Sequence, residues 1–229
     1  MTTTNLDKKY TLDNFVAGPC NELSYYLARA VSRNPGKEHR LVYFHGLGGI
    51  GKTHLLQGIA QETSERFNSL VVRYMTVEQF TNALIKALRD DKMAEFRLEI
   101  RNTDVLLIDN IDFLQSKIST QEEFLFTFDE MRSNGKQIVI AGELPPESLF
   151  HTRSALRSRF DWGAVSELQM PDVDTKLLIL RRLANASNAD IGEDTLQFIA
   201  ATVEGDVRKL EGAFHKAQAC AAMRNNVLS

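Results

Sequence analysis

One segment of the sequence has residue types and spacing that point to phosphate chemistry. It runs from Gly46 to Thr53 in the form G-x-x-x-x-G-K-T, after the apolar residues 41–44 and before a helical pattern. Glycines let the backbone wrap so that consecutive N–H groups point at one anion, and a helix N-terminus adds partial positive charge. Lys52 would reach the terminal phosphates and the Thr53 hydroxyl would ligate Mg²⁺. The pattern predicts a nucleoside triphosphate site rather than an ordinary glycine turn.

A second signal is an apolar run, residues 104–109, that ends in Asp109. Such a run is typical of a central parallel strand that is buried on both faces. Many strands end in aspartate at a turn, so this signal is weak alone. Together with the glycine segment it predicts that Asp109 lies near Thr53 and completes the Mg²⁺ shell.

The position after that aspartate is usually a second acid in ATPases of this layout, but here it is Asn110. An amide can hold the attacking water but cannot accept its proton. Asp112 is close in sequence, and we expect it to point elsewhere. Nucleotide binding should therefore survive while hydrolysis is slow or absent. The alternative is that hydrolysis depends mainly on positioning and charge stabilisation, and loses little.

Three arginines are further candidates. Arg157 and Arg159 lie between the last two predicted strands, and Arg208 opens a helix near the C-terminal end. Each could form an ordinary surface ion pair. Alternatively, Arg157 or Arg159 acts as an arginine finger on a neighbouring subunit's γ-phosphate, because guanidinium is planar, multidentate and permanently charged. Arg208 could reach the γ-phosphate of its own subunit.

Strands alternate with helices over most of the chain, which predicts a doubly wound α/β sheet. The predicted strands are residues 41–44, 70–74, 104–109, 137–141 and 165–168, and the predicted helices between them include 21–32, 77–90, 92–101 and 120–134. Past residue 171 only helices follow, at 172–187, 193–204 and 206–223. We therefore expect a flexible N-terminus (1–9), an α/β nucleotide-binding subdomain (10–170) and a helical lid (171–229).

Composition narrows the class of protein. The 229 residues are 43% hydrophobic and 25% charged, with a net charge of −3, which is typical of a globular domain. The net charge gives no general signal for nucleic acid, although a local basic stripe would not show in the sum. The two cysteines, Cys20 and Cys220, form no disulfide framework, and no apolar segment is long enough to span a membrane. We expect a cytoplasmic location and no need for a membrane.

Taken together, these motifs resemble the AAA+ domain of the bacterial replication initiator DnaA. The matching segments are residues 10–19, 34–37, 46–54, 72–75, 80–82, 87–90, 104–111, 120–124, 135–140, 156–163, 171–172 and 208–213. The resemblance implies a P-loop AAA+ parallel sheet flanked by helices, with a small C-terminal helical lid. It implies ATP or ADP with Mg²⁺ as cofactors.

The resemblance also assigns roles to individual residues. The residues expected to contact the nucleotide are Val16, Gly46, Gly48, Gly49, Ile50, Gly51, Lys52, Thr53, His54 and Arg208, with Thr53 and Asp109 on Mg²⁺. Arg159 would be the finger acting in trans. Glu143 stands where the family's sensor-1 position usually has aspartate, and Ala155 where many members have another arginine. Helices 77–101 would be the initiator-specific insertion that lines a channel for single-stranded DNA; the charge of helix 92–101 alone indicates only a solvated face.

Three functions remain open from the sequence. The first is an initiator module in DNA replication that binds ATP, self-assembles, engages single-stranded DNA and hydrolyses ATP slowly. The second is an Hda-like regulator that binds the full-length initiator and promotes its ATP hydrolysis, which a lone AAA+ core and Asn110 favour. The third is a helicase loader. A helix-turn-helix domain is not found in the 229 residues, so we expect no reading of double-stranded origin sites from this chain alone.

Overall fold

Five parallel strands form the central sheet of the computed structural model, which describes residues 6–187, 189 and 191–227, with side chains to residue 223 in the last helix. The strands are β1 (Leu41–His45), β2 (Val72–Thr76), β3 (Val105–Asp109), β4 (Gln137–Ala141) and β5 (Ala164–Glu167). Their order across the sheet is β2-β3-β4-β1-β5, and every neighbouring pair is parallel. The predicted α/β sheet is therefore confirmed.

Helices cover both faces of this sheet. They are α1 (Glu22–Arg33), α2 (Lys52–Arg66), α3 (Val77–Arg89), α4 (Met93–Arg101), α5 (Ile118–Ser133) and α6 (Ser154–Phe160). Alternate side chains of a strand point to opposite faces. Accordingly, Val42 and Phe44 of β1 pack into the core under α1 and α2, whereas Leu41 and Tyr43 pack into the core under α3 to α6. Burial on both faces explains the near-continuous apolar runs in the sequence.

The helices after residue 171 form a lid with a core of its own. They are α7 (Val173–Ser187), α8 (Glu193–Thr202) and α9 (Val207–Val227). Leu180, Leu196 and Phe214, one from each helix, are buried together. The lid contacts the rest of the chain through the Val207 N–H, which donates to the Gly49 carbonyl at 3.0 Å, and through Arg182, which donates to the Asp13 carbonyl. The first of these contacts joins the lid to the glycine segment.

The N-terminus was expected to be flexible over residues 1–9, and this stays a prediction. Residues 1–5 lie outside the described residues. In the segment that follows them, the Asp7 N–H donates to Gln57 Oε1 at 2.8 Å, and Leu6 packs against the core. Helix α2 thus presents two glutamine side chains, Gln57 and Gln61, that bind this backbone. No helix in the part of the chain that the structure describes combines the length and apolarity needed to cross a membrane.

Candidate nucleotide-binding site

The glycine segment lies at the C-terminal end of β1, where its backbone adopts left-handed conformations. Gly46, Gly49 and Gly51 have φ of 138°, 75° and 107°. A Cβ on Gly46 would lie 2.2 Å from the Leu168 carbonyl oxygen, so only glycine fits there. Helix α2 then begins at Lys52 without a side-chain cap and without an acid in its first turn. Its free N–H groups and partial positive charge suit an anion such as a phosphate.

Lys52 is directed into this loop. Its side chain is buried, and Nζ donates to the carbonyl oxygens of Gly46 at 2.6 Å and Leu47 at 2.7 Å. Burial lowers the pKa of Lys52, since the charged form is desolvated. Both hydrogen-bond partners are neutral, so a phosphate at this loop would supply the counter-charge that stabilises the ammonium.

Asp109 and Thr53 are brought together as predicted. Thr53 Oγ1 donates to Asp109 Oδ2 at 2.7 Å, and Asp109 is 2% exposed. Adjacent hydroxyl and carboxylate oxygens are the ligands that Mg²⁺ prefers, and Mg²⁺ usually keeps several waters and substrate phosphates in its shell. Within the described ranges no three His, Cys, Asp or Glu residues are grouped to hold a metal. These donors fit a magnesium ion whose other ligands include phosphate oxygens. They do not form a closed protein cage around the ion.

Tyr74 is a site residue that the sequence reasoning treated only as part of a strand. It lies on β2, and its hydroxyl donates to Asp109 Oδ2 at 3.0 Å. Burial raises the pKa of Tyr74, so the phenol stays protonated and remains a donor at neutral pH. The parallel register pairs Thr76 with Asp109 and so brings β2 beside the acid. Only that register, which the sequence does not give, reveals the role of Tyr74.

Asn110, Glu143 and Arg208 line the same end of the cleft as the glycine segment, together with Tyr10 and Glu211. Asn110 is exposed and adopts a left-handed conformation, with φ of 57°. Asp112 points elsewhere, as predicted. Its carboxylate accepts the N–H groups of Glu143 at 2.6 Å and Leu144 at 3.1 Å, and so fixes the loop that carries Glu143.

The other end of the cleft is apolar and lies between the α/β subdomain and the lid. Its walls include Phe15, Val16, Ile50, Pro171, Ile179 and Leu183. His54 lies beside it; its Nε2 is 2.8 Å from the Thr11 carbonyl oxygen, and its ring meets Phe15 edge-on at 5.3 Å. Burial is the main factor that lowers the pKa of His54, so the imidazole is neutral at pH 7. An apolar slot next to an anion-binding loop suits a flat base joined to phosphates.

Arg159 lies outside this cleft. Its Nε and Nη2 donate to Asp129 on α5 at 2.5 Å and 2.8 Å, which is the local ion pair that the sequence left open as one alternative. Arg157 has a buried Nε without a hydrogen-bond partner among the described residues. The chain thus brings Arg208 to the cleft and keeps Arg159 away from it. A finger role for Arg159 in trans stays a prediction.

With this geometry in place, comparison with known proteins decides the family. A family model described as the bacterial DnaA ATPase domain matches residues 6–167. The chain belongs to this family. The chromosomal replication initiator protein DnaA of Thermus thermophilus is 40% identical over 218 residues, covering 95% of this chain and 50% of that protein. The DnaA protein of Deinococcus radiodurans is 40% identical over 220 residues, covering 96% of this chain and 47% of that protein. The chain spans about half the length of these curated relatives.

Solved structures support the DnaA assignment at the level of the fold. The crystal structure of domain III from the Thermotoga maritima replication initiation protein DnaA superposes with a TM-score of 0.92 at 36% identity, covering 97% of this chain and 92% of that one. A replication initiator DnaA bound to AMPPCP and single-stranded DNA gives 0.85 at 30% identity, covering 92% and 65%. The AAA+ architecture that the resemblance implied is therefore confirmed.

Proposed function

We propose that this chain is an ATP-binding AAA+ module that acts in the initiation of DNA replication and assembles with copies of itself when ATP is bound. One observation carries the proposal: a single cleft brings together the glycine segment, Lys52, the Thr53–Asp109 pair and the lid residue Arg208. These groups come from the α/β subdomain and from the lid, so a bound triphosphate would link the two.

Relatives support both the nucleotide and the biological setting. The DnaA structure that is similar to this chain over 92% of its length contains AMPPCP, a non-hydrolysable analogue of ATP, and single-stranded DNA. The chain's curated relatives are replication initiators. On this likeness we propose that α3 and α4 contact single-stranded DNA. Charge adds little to that part of the proposal, because Arg97 and Arg101 of α4 are ion-paired with Glu123 and Glu130.

Each residue at the phosphate end has a proposed task. Lys52 and the free N–H groups at the start of α2 stabilise the phosphate charge, and Thr53 and Asp109 hold Mg²⁺, which neutralises charge on the phosphate oxygens. Asn110 orients a water without accepting its proton, so hydrolysis is slow. Arg208 contacts the terminal phosphate and so links the lid to the nucleotide, next to the hydrogen bond from the Val207 N–H to the Gly49 carbonyl.

We propose further that Arg159 completes the site of a neighbouring copy. It is absent from its own cleft and lies on α6 with 22% of its side chain exposed. A guanidinium that reaches a neighbour's γ-phosphate only in the assembled state makes assembly depend on ATP rather than ADP. The nucleotide would then serve mainly as a switch for assembly.

Asn110 also favours the second candidate, a regulator that binds a full-length initiator and stimulates its hydrolysis, because such a protein does not need its own ATPase. Mixing the chain with an initiator separates the two functions. The regulator accelerates release of phosphate from initiator-bound ATP. A self-assembling module leaves that rate unchanged.

The nucleotide site is tested by titrating a fluorescent ATP analogue into the chain with Mg²⁺. We expect Lys52→Ala to weaken binding by about 100-fold or more, because it removes a buried charge-assisted contact to phosphate. Arg159→Ala is the matched control; at chain concentrations low enough to keep the wild type monomeric it should bind like the wild type, since Arg159 lies outside its own cleft. Wild-type affinity in Lys52→Ala would contradict the proposed site.

A further inference from the structure

Arg159 is held on three sides within its own subunit. The carboxylate of Asp129 accepts from both Nε and Nη2, and the Ala155 carbonyl oxygen accepts from Nη1 at 2.9 Å. The indole ring of Trp162 lies on a further side, with its centroid 5.4 Å from Cζ of Arg159. The bond with Asp129 raises the pKa of Arg159 further, so the cation is permanent. The guanidinium therefore has one fixed orientation in the free chain.

These contacts leave part of the guanidinium available. The group carries five N–H donors, of which Asp129 and Ala155 take three. One N–H on Nη1 and one on Nη2 remain, and the remaining N–H of Nη2 points to the end edge of the fork, away from Asp129. A guanidinium N–H that is directed away from its own subunit can donate to a phosphate oxygen. Asp129 occupies the side edge, Nε and Nη2, so it does not block the end edge.

We propose that Asp129 is a positioning residue for Arg159: it fixes the guanidinium so that its end edge is ready for a phosphate on a neighbouring copy. The proposal rests on the proposed trans role of Arg159. A free surface arginine has many rotamers, and ordering them opposes association. Asp129 orders them before the neighbour arrives. The carboxylate also weakens the attraction between Arg159 and phosphate, but it leaves the end edge of the guanidinium open. The benefit of orienting the guanidinium therefore outweighs the competition between Asp129 and phosphate.

Helix α5 offers a matched control for this pair. Glu130, the next residue, pairs with Arg101 on α4 at 2.7 Å and is 37% exposed, whereas Asp129 is 43% exposed. Both are partly exposed acids on one helix that pair with an arginine from another helix. Only Asp129 contacts the proposed finger. A merely structural role in holding α5 would be shared by the two residues.

The test measures the ATP concentration that gives half-maximal assembly of the chain, by sedimentation velocity with Mg²⁺. We expect Asp129→Ala to raise that concentration about tenfold, because the finger is no longer oriented. Asp129→Glu should bring the ATP concentration for half-maximal assembly to within about threefold of the wild-type value, since a carboxylate again reaches the guanidinium. Glu130→Ala should match the wild type. The affinity of the unassembled chain for the ATP analogue should be unchanged in all three variants.

Arg159→Ala separates the two proposals. If Arg159→Ala assembles like the wild type, the trans role in the proposed function fails. If Arg159→Ala fails to assemble but Asp129→Ala assembles at the same or a lower ATP concentration, the positioning role is overturned. Asp129→Asn keeps the side-chain shape and guards against misfolding; assembly of this variant at less ATP than the wild type would also overturn it.

Discussion

The cleft and the surface around Arg159 differ in how far their charged side chains are buried. In the cleft, Lys52 is 7% exposed and Asp109 is 2% exposed, and they are held by short hydrogen bonds to the Gly46 carbonyl and the Thr53 hydroxyl respectively. Around Arg159, the two members of the ion pair are 22% and 43% exposed. Buried groups keep their geometry and strong interactions, whereas solvent and salt weaken the attraction within a partly exposed pair. The phosphate end of the cleft is therefore preorganised, and we propose that Arg159 contacts a neighbouring copy through its remaining N–H groups while Asp129 stays bound.

Arg208 and Arg159 also differ in whether they contact the cleft. Arg208 follows Val207, whose N–H is bonded to the glycine segment, so the start of α9 is tied to the phosphate end of the cleft. Arg159 has no contact with that cleft and is restrained only by its own subunit. We propose that Arg208 responds to the nucleotide within the chain and that Arg159 responds to a neighbour.

The largest effect is expected for a substitution in the glycine segment of the cleft. Gly46→Ala should destabilise the chain by about 2 kcal/mol or more, because φ is left-handed there and a Cβ would overlap the Leu168 carbonyl oxygen. Gly212→Ala is the control: it lies within α9, where an added methyl group would meet nothing within 4 Å, and should stabilise by about 0.5–1 kcal/mol. Urea denaturation measures both. Equal stability of the two variants would contradict a preorganised loop.

A second prediction concerns the rate of ATP hydrolysis in the cleft and uses the variant Asn110→Asp. The new carboxylate would stand where Asn110 lines the phosphate end of the cleft and would accept a proton from water. We expect single-turnover hydrolysis of ATP to rise at least about tenfold. The affinity for the ATP analogue should stay within about threefold, as Lys52 and Thr53 are untouched. Equal rates for the wild type and the variant would show that positioning alone sets hydrolysis.

Sequence reasoning succeeded where one short segment determines its own geometry. The glycine segment, the apolar strand that ends in Asp109 and the turn to helices after Pro171 each follow from local residue types, and the structure has all three. Thr76 and Gln79 form the capping box that opens α3, which is likewise a local pattern. The resemblance to DnaA added the sheet of parallel strands as an expectation, and the structure confirms it.

The residues that sequence reasoning missed act across distant segments. Tyr74 and Asp109 are 35 positions apart, and Asp129 and Arg159 are 30 apart. A tyrosine in an apolar strand and an acid in an amphipathic helix carry no signal by themselves. Their roles depend on the strand register and on how α5 packs beside α6.

The smallest expected effect concerns pH. Burial lowers the folded-state pKa of His54, so below about pH 6.5 the unfolded chain binds a proton that the folded chain does not. The free energy of unfolding should therefore fall as the pH drops from 7.5 to 5.5, and His54→Gln should reduce that fall. The pKa of His45 is also lowered by burial, but His45 is less buried, so His45→Gln should reduce the fall in the free energy of unfolding by less. Urea denaturation at the two pH values measures this fall, and an equal fall in the wild type and His54→Gln would contradict a partly buried His54 with a lowered pKa.

Sedimentation velocity of the wild type and Arg159→Ala tests whether ATP acts as a switch for assembly through Arg159. With Mg²⁺ and ATP the wild type should form oligomers and with ADP it should not, while Arg159→Ala should remain a monomer with either nucleotide and still bind ATP. Oligomers of Arg159→Ala that form with ATP as readily as those of the wild type would contradict the account.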